Sequence, residues 1–589
     1  MSCAFIFIRS RNGREDARRR LDIAARFSPI VPESTWIREI GDNAICGAFS
    51  NAEESAAGSY VHVPENGAEC HMFHGWVAGN GLADEPFSQS VAQWISERIA
   101  ATSFDEFVQN TTGEWAILSI FNTGHLRAAI SFPGGEHLYY GFLNGVLVIS
   151  NRAVMCAAAL HENIPAPNPF FLGWLLTENH AFVSDDGTPF AHVHALHPLK
   201  MLEVQPNSDT FVLHPRPWPI ADKPASYDEL LDQLVKRVAI VQRLPNVPFR
   251  FSLTAGRDSR LVLAALVAAK CFDKLRSCYL IASPDHPDVV IGKMLAEHYG
   301  VSFECLTREA STRSVWDDLE IHHFQTEMGV HFWDSKGVLS RPREGRMGGS
   351  YGEMFFSHFK SRLLFGWPGV AQRFESNGYI DPDDVLTAKA RDELRRGFRI
   401  FWQRRRDEGI LASHMFDRLH RDGRMWRWVG QGRLAANLGT VNTNPIGTPQ
   451  MLDKYLSLSY PDRRFGRLHY ELMRLADPWL LDQPFYMKSF SAYLTGHLPP
   501  KMKFPPVKRT IAPQHILWET QRDELIDYLL APGKGDFFEL VDKKRLEKLL
   551  YRTPANAGRI AIANILGILG VRHALETPLR PHPCKVEPA

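Results

Sequence analysis

The segment Phe251-Ser252-Leu253-Thr254-Ala255-Gly256-Arg257-Asp258-Ser259-Arg260-Leu261 leads an apolar run into a loop of small residues and directly on into a helical pattern. A loop of this kind turns its backbone N–H groups and the start of the helix toward one point, an arrangement that binds phosphate. Thr254, Ala255 and Gly256 are small enough to let an oxyanion reach the backbone, and Ser259 can donate a hydroxyl hydrogen. Asp258 brings a carboxylate that can hold Mg²⁺ against a pyrophosphate. The loop contains no Walker lysine, which argues against ordinary γ-phosphoryl transfer.

The elements that must position this loop change character along the chain. Up to about residue 215 the runs CAFIFI, AICGAF, EWAILSIF, LRAAISF, YYGFLNGVLVIS and KMLEVQP are short, β-rich and separated by turn residues. Asn144-Gly145 between two apolar runs predicts a hairpin, because both residues tolerate positive φ. Ser88 to Ala101 predicts a helix. This part is expected to be antiparallel and β-layered. A Pro-rich stretch from His214 to Pro224 ends at Ser226, a good N-cap for a helix predicted over Tyr227 to Gln242. It divides an expected first domain, 1–220, from a second, 225–589. Beyond it, PFRFSLTAGRDSRLVLAALVAAKC and LRSCYLIASPDHPDVVIGKMLAEHYGV repeat the order strand, turn, helix, which predicts a doubly wound, parallel α/β sheet. From about Pro368 onward a helical extension is expected.

With 589 residues the chain exceeds what one core supports. Its formal net charge of +1 provides no overall field for nucleic acid or an anionic membrane, so neither is expected as a partner. No apolar run is long enough to cross a bilayer, and the start lacks the basic and apolar regions of a secretory signal, so a cytoplasmic protein is expected. The eight cysteines form no CxxC pair and read as reduced core thiols. Cys70, His71 and His74, and likewise His192, His194 and His197, lack a complete zinc set and read as core or surface residues. Arg395 to Arg406 reads as a solvated helix face over an aromatic stripe of Phe398, Phe401 and Trp402.

Thr254 to Ser259 resembles the Ser-Gly-Gly-x-Asp-Ser pyrophosphate loop of ATP pyrophosphatases, in the form found in class B asparagine synthetases, β-lactam synthetases and lasso peptide cyclases. Thr254 and Ala255 stand where the pattern has Ser and Gly. Three further segments follow in order. Tyr279 to Asp288, with the helix Val289 to Tyr299, resembles the second βα unit, in which an aspartate opens the helix. Met347-Gly348-Gly349-Ser350-Tyr351-Gly352-Glu353-Met354-Phe355 resembles the Gly-Glu-Gly-Ser-Asp-Glu-Leu-Phe segment, and Pro500-Lys501-Met502-Lys503-Phe504-Pro505 resembles Pro-Lys-x-Gly-Phe-Pro. The resemblance implies ATP and Mg²⁺ as cofactors, Asp258 and Glu353 as metal ligands, and catalytic roles for Glu353 and for Lys501 facing the phosphates. Two departures stand out: Gly352 occupies the place of a family aspartate, and a family glutamate falls near Val441. Tyr351 is offset from the tyrosine that serves β-lactam synthetases as part of their base.

The first half is similar to the Ntn-type glutaminase domain of the same family, through Glu114 to Leu118, Glu136 to Tyr140, Leu147 to Ser150 and Val193 to Leu199. An active member exposes cysteine as its mature first residue; here Ser2 holds that place and Cys3 follows. The glutamine-binding Asn-Gly-Glu is His74-Gly75-Trp76. The resemblance therefore implies an amide ligase that forms AMP and pyrophosphate without splitting glutamine, closest to a lasso peptide cyclase that makes a macrolactam. Its substrate would be a peptide or small carboxylic acid, and its partner a leader-peptide-processing peptidase. A β-lactam-type synthetase, an ammonia-dependent enzyme acting on a small acid or sugar acid, and a non-catalytic nucleotide-binding protein remain alternatives.

Overall fold

A computed structural model describes residues 3–28, 34–50, 61–62, 69–78, 91–121, 123–162, 165–177, 186–206, 208, 210–216, 223–243, 247–306, 315–316, 319, 344–356, 366–430, 440–486, 489–496, 504, 513–533, 536–554 and 559–578. It is mixed α/β, with two antiparallel sheets and one parallel sheet.

The antiparallel strands are β1 (Cys3–Ser10), β2 (Ser34–Ile40), β3 (Ala44–Ser50), β4 (Val61–His62), β5 (Cys70–Ala78), β6 (Thr112–Ile120), β7 (Leu126–Ile130), β8 (Tyr139–Leu143), β9 (Val146–Ser150), β10 (Val193–Ala195), β11 (Lys200–Val204) and β12 (Phe211–Pro215). Among the described residues they form two six-stranded sheets, in the orders β10-β8-β9-β1-β3-β2 and β12-β11-β7-β6-β5-β4. Alternation along each strand sends every second side chain to one face. Phe5, Phe7, Cys46, Tyr140 and Ile149 of the first sheet meet Met72, Leu118, Ala128 and Val204 of the second in a core between them. The opposite faces are covered by helices. Ala4, Ile6 and Ile8 pack toward α1 (Arg14–Arg26) and α4 (Ala153–His161), while Phe73, Trp115 and Ile117 pack toward α2 (Val91–Ala101) and α3 (Phe104–Asn110). Asn144 and Gly145 turn β8 into β9 with φ of 50° and 78°, as their residue types predict.

A short helix, α5 (Pro169–Trp174), leads out of these layers, and α6 (Tyr227–Val238) opens the rest of the chain. Ser226 caps α6 as expected, in a capping box with Glu229, but the helix stops at Val238 rather than Gln242. Strands β13 (Phe249–Ser252), β14 (Leu275–Ile281), β15 (Phe303–Leu306), β16 (Glu344–Met347) and β17 (Thr440–Thr443) pair in parallel in the order β15-β14-β13-β16-β17. The chain steps one way from β13 to β14 and β15, then crosses back to β16 on the other side. The gap between β13 and β16 is therefore a topological switch point, where open parallel sheets hold ligands beyond their strand ends. Helices α7 (Arg257–Ala268) and α8 (Pro287–His298) follow β13 and β14.

The later part is helical, including α9 (Ala388–Asp407), α10 (Arg467–Ala476) and α11 (Arg559–Glu576). Phe398 and Phe401 are buried beneath the arginines of α9, and Phe398 meets Trp174 of α5 edge-on at 4.9 Å. Cys46, Cys70, Cys156, Cys271 and Cys278 are buried as thiols, outside any disulfide.

His137 belongs to the contact between the antiparallel and helical parts. Its Nε2 lies 3.4 Å from the Trp426 carbonyl, and its Nδ1 lies 3.2 Å from the Tyr139 hydroxyl. Burial, reinforced by the nearby Arg427 charge, pushes the imidazole down to about 3. Below its ordinary value the unfolded chain binds a proton that the folded chain refuses, so this site makes stability fall as pH falls from about 6.5 toward about 3. His137→Gln should weaken that dependence. Urea titrations should show wild type losing on the order of 2 kcal/mol more than the variant between about pH 7 and about pH 5.

Candidate active site

The loop after β13 is closed by its own side chains. Ser259 Oγ accepts the Thr254 N–H at 3.1 Å and donates to the Thr254 carbonyl at 3.1 Å. Thr254 Oγ1 lies 2.9 Å from Ser259 Oγ and accepts the Gly256 N–H at 3.1 Å. The remaining loop amide, that of Ala255, donates to Asp288 Oδ1 at 3.0 Å from the first turn of α8. Thr254, Ala255, Gly256, Asp258 and Ser259 are thus one structural unit. Its three loop amides each donate to a side-chain oxygen, Ser259 Oγ, Asp288 Oδ1 and Thr254 Oγ1, which a phosphate group could replace. The first-turn N–H groups of α7 extend the donor set, because helical geometry leaves them without intrahelical partners.

Across the switch point, the turn after β16 reaches the same place. Gly348 N–H donates to the Thr443 carbonyl, and Ser350 to Phe355 then wind into a 3₁₀ helix. A Cβ on Gly349 would stand 2.7 Å from the Asp258 carbonyl carbon and 2.8 Å from Ser259 N; one on Gly352 would stand 2.4 Å from Asp258 Cγ. Both glycines therefore allow an approach that a side chain would block. Glu353 follows on this turn with its side chain 42% exposed, and its Oε2 lies 3.9 Å from His420 Nε2. Asp258 keeps 29% of its side-chain surface. Two accessible carboxylates beside an anion cradle are a donor set suited to a hard divalent cation such as Mg²⁺. Asp258 and Glu353 are the accessible carboxylates that could hold such a cation, and the Thr254–Ser259 loop is the part that could hold phosphates.

His469 of α10 is fully buried and places Nε2 3.0 Å from Asp258 Oδ1. Burial lowers its affinity for a proton, Arg257 adds to that, and Asp258 pulls the other way; the net direction is downward. Arg257, the variable member of the loop motif, and Arg260 just beyond it anchor α7. Arg257 lies 3.8 Å above the Phe356 ring, while Arg260 donates to the carbonyls of Leu480, Gln483 and Pro484.

The sequence motifs account for both loops and for the aspartate that opens α8. The contribution of His469 carries no motif and lies far along the chain. The cluster Gly348, Gly349 and Gly352 was the local sign of close contact. Lys501 and Ser2 lie outside the described residues. Val441 is in β17 opposite Gly345, and Tyr351 is buried in the core beneath the turn. Gly352, where the family pattern has an acid, is filled on its open side by Asp258 itself.

The residues matched to the glutamine-binding tripeptide are committed elsewhere. His74 Nδ1 lies 2.7 Å from Glu136 Oε2, with both groups buried, and the Trp76 ring lies under the Arg237 guanidinium at 5.2 Å. A depression of about 630 Å³ over α1 is remote from these groups, and its Arg14, Arg18 and Arg19 are paired with acidic neighbours.

No family model and no curated protein matches the chain. Solved structures of an allosteric regulatory enzyme of purine biosynthesis and of the B. subtilis glutamine phosphoribosylpyrophosphate amidotransferase complexed with ADP and GMP each align with 59% of this chain and 74% of their own. Identities are 11% and 10%, and TM-scores 0.26 and 0.25. Likeness of that extent fixes neither fold nor chemistry.

The contact at Gly352 has a direct consequence. Gly352→Ala should destabilise the protein by about 1–3 kcal/mol, the usual cost of overpacking. Gly378→Ala, where a Cβ would meet nothing within 4 Å, should stay within about 0.5 kcal/mol of wild type. Denaturant titrations of the two variants check this; equal effects would mean that the turn does not press on Asp258.

Proposed function

We propose that this chain is an ATP-dependent amide ligase of the asparagine synthetase type that adenylates a carboxylate and couples it to an amine without using glutamine. The observation that carries the reading is the meeting, at the switch point of a parallel sheet, of the Thr254–Ser259 loop with the Glu353-bearing turn. A cradle without a Walker lysine is suited to hold pyrophosphate as a leaving group, so the carboxylate attacks the α-phosphorus and an amine then displaces AMP. Mg²⁺ would supply charge neutralisation on the departing pyrophosphate. Asp258 and Glu353 bind on the metal side, Thr254, Ala255, Gly256 and Ser259 on the phosphate side, and Lys501 is assigned to the phosphates by its motif alone.

We further propose the division into a glutaminase-like part, 1–220, and a synthetase part, 225–589. The commitment of His74 to Glu136 and of Trp76 to Arg237 favours an amine that comes from a substrate. The specific reading is a lasso peptide cyclase, in which the amino terminus of a precursor peptide attacks its own activated Asp or Glu side chain. A leader-peptide-processing peptidase would then be a partner, and the cytoplasm, with its ATP, the place of action. Among the described residues, no helix is long and apolar enough to cross a membrane.

With its acid substrate the enzyme should release AMP and pyrophosphate, and an oxygen-18 label in the substrate carboxylate should appear in AMP. ADP and phosphate would instead indicate an acyl phosphate and overturn the reading. Asp258→Asn should lower AMP formation by at least ~100-fold with the fold intact by circular dichroism, as loss of an interaction that counts only in the transition state does. Glutamine should release no ammonia, and Ser2→Ala should leave amide formation unchanged; Ser2-dependent ammonia would restore glutaminase chemistry.

A further inference from the structure

The antiparallel part reaches the candidate site through one buried carboxylate. Glu114 of β6 is fully buried, and its Oε1 accepts the Asn444 N–H at 2.8 Å. The Asn444 side chain continues the link: its Oδ1 accepts the Ser350 N–H at 3.3 Å, at the start of the turn that carries Glu353. The other end of the same residue is held as well, since Arg237 Nη2 donates to the Asn444 carbonyl at 3.3 Å. That guanidinium lies over Trp76, which faces Glu114 directly across the β5–β6 pair. Glu114 therefore holds Asn444 directly, its cross-strand neighbour Trp76 packs on the arginine that holds the same residue, and Asn444 holds the acid-bearing turn.

The strand pair is shaped for this. Gly75 and Gly113 have φ of 115° and 141°, and a Cβ on either would come within 2.2 Å of the opposite backbone. Only glycine fits such an approach at such angles. In β5 the Gly75 of the His-Gly-Trp tripeptide is thus required by the backbone, independently of any glutamine.

We propose that Glu114 is a positioning residue for the synthetase site, acting through Asn444 to set the Ser350–Phe355 turn and with it Glu353. A buried carboxyl oxygen accepts this backbone N–H, and losing it leaves that N–H without its acceptor. The glutaminase-like part is accordingly a working piece of the nucleotide site. The functional arm of this proposal rests on the ligase reading; the structural arm does not.

Hydrogen exchange on the full-length protein tests the structural arm without any substrate. Glu114→Ala should raise amide exchange across Ser350–Phe355 by at least ~10-fold, and Glu114→Gln, which keeps an acceptor, should stay within about threefold of wild type. Asn444→Ala breaks only the second link, so it should loosen the same turn while β6 stays protected, and Asn444→Asp should restore it. This pair decides the matter if Glu114→Ala does not fold. Ile117→Ala, in the same strand but in the core toward α2 and α3, serves as control and should loosen β6 without singling out the turn. Unchanged exchange at Ser350–Phe355 in a folded Glu114→Ala or in Asn444→Ala, or the same pattern in Ile117→Ala, overturns the proposal. In the functional arm, Glu114→Ala should lower kcat/KM for ATP by at least ~10-fold, with Glu114→Gln largely restored. If wild type forms no AMP while exchange responds as expected, the ligase reading falls and the positioning role stands.

Discussion

With hydrogen in place of a side chain at Gly349 and Gly352, the turn after β16 lies directly on the Asp258–Ser259 peptide and on the Asp258 carboxylate. Van der Waals contact at that distance fixes the separation of two loops that belong to different crossovers of the sheet. The partial enclosure of Asp258 follows from how near these loops come. A methyl group at Gly349 would have to move the backbone at the start of α7, and one at Gly352 would have to displace the Asp258 side chain.

Around that contact, charge is arranged in layers. The Asp258 carboxylate has a buried, proton-poor imidazole on one side and partial solvent access on another. Arg257 and Arg260 would flood an anion site with positive charge if they pointed into it. Their guanidiniums instead lie on aromatic rings and carbonyls, and burial pulls both down, to about 10 and about 9, which still leaves them charged near neutral pH. They work as anchors between α7 and the segments 465–466 and 480–485.

What the sequence reveals here depends on how local the cause is. Asn144-Gly145, Ser226 with Glu229, and the small loop Thr254–Gly256 are legible because turn geometry, capping and oxyanion access are decided by a few adjacent residues. The strand runs of the first part are legible for a similar reason: alternation is a property of neighbours. His469, Asn444 and Glu114 are illegible because each acts across hundreds of residues, and a histidine on an amphipathic helix looks like any other core residue. Gly352 had a misleading appearance: read against a pattern it is a missing acid, whereas in the fold it is the space that Asp258 occupies.

Helix α5 gives the molecule an order of assembly. Phe171, Leu172 and Trp174 share one core with the layers before them and with Leu394, Phe398, Leu540 and Ile565 far downstream. At ~5–20 residues per second, translation leaves that apolar surface without the last of its later partners for roughly 20–80 s. A nascent chain in this state presents tryptophan and phenylalanine to the cell before the helices that cover them exist. Its yield in a host thus depends on chaperone capacity during synthesis, and the first part made by itself would keep that surface bare.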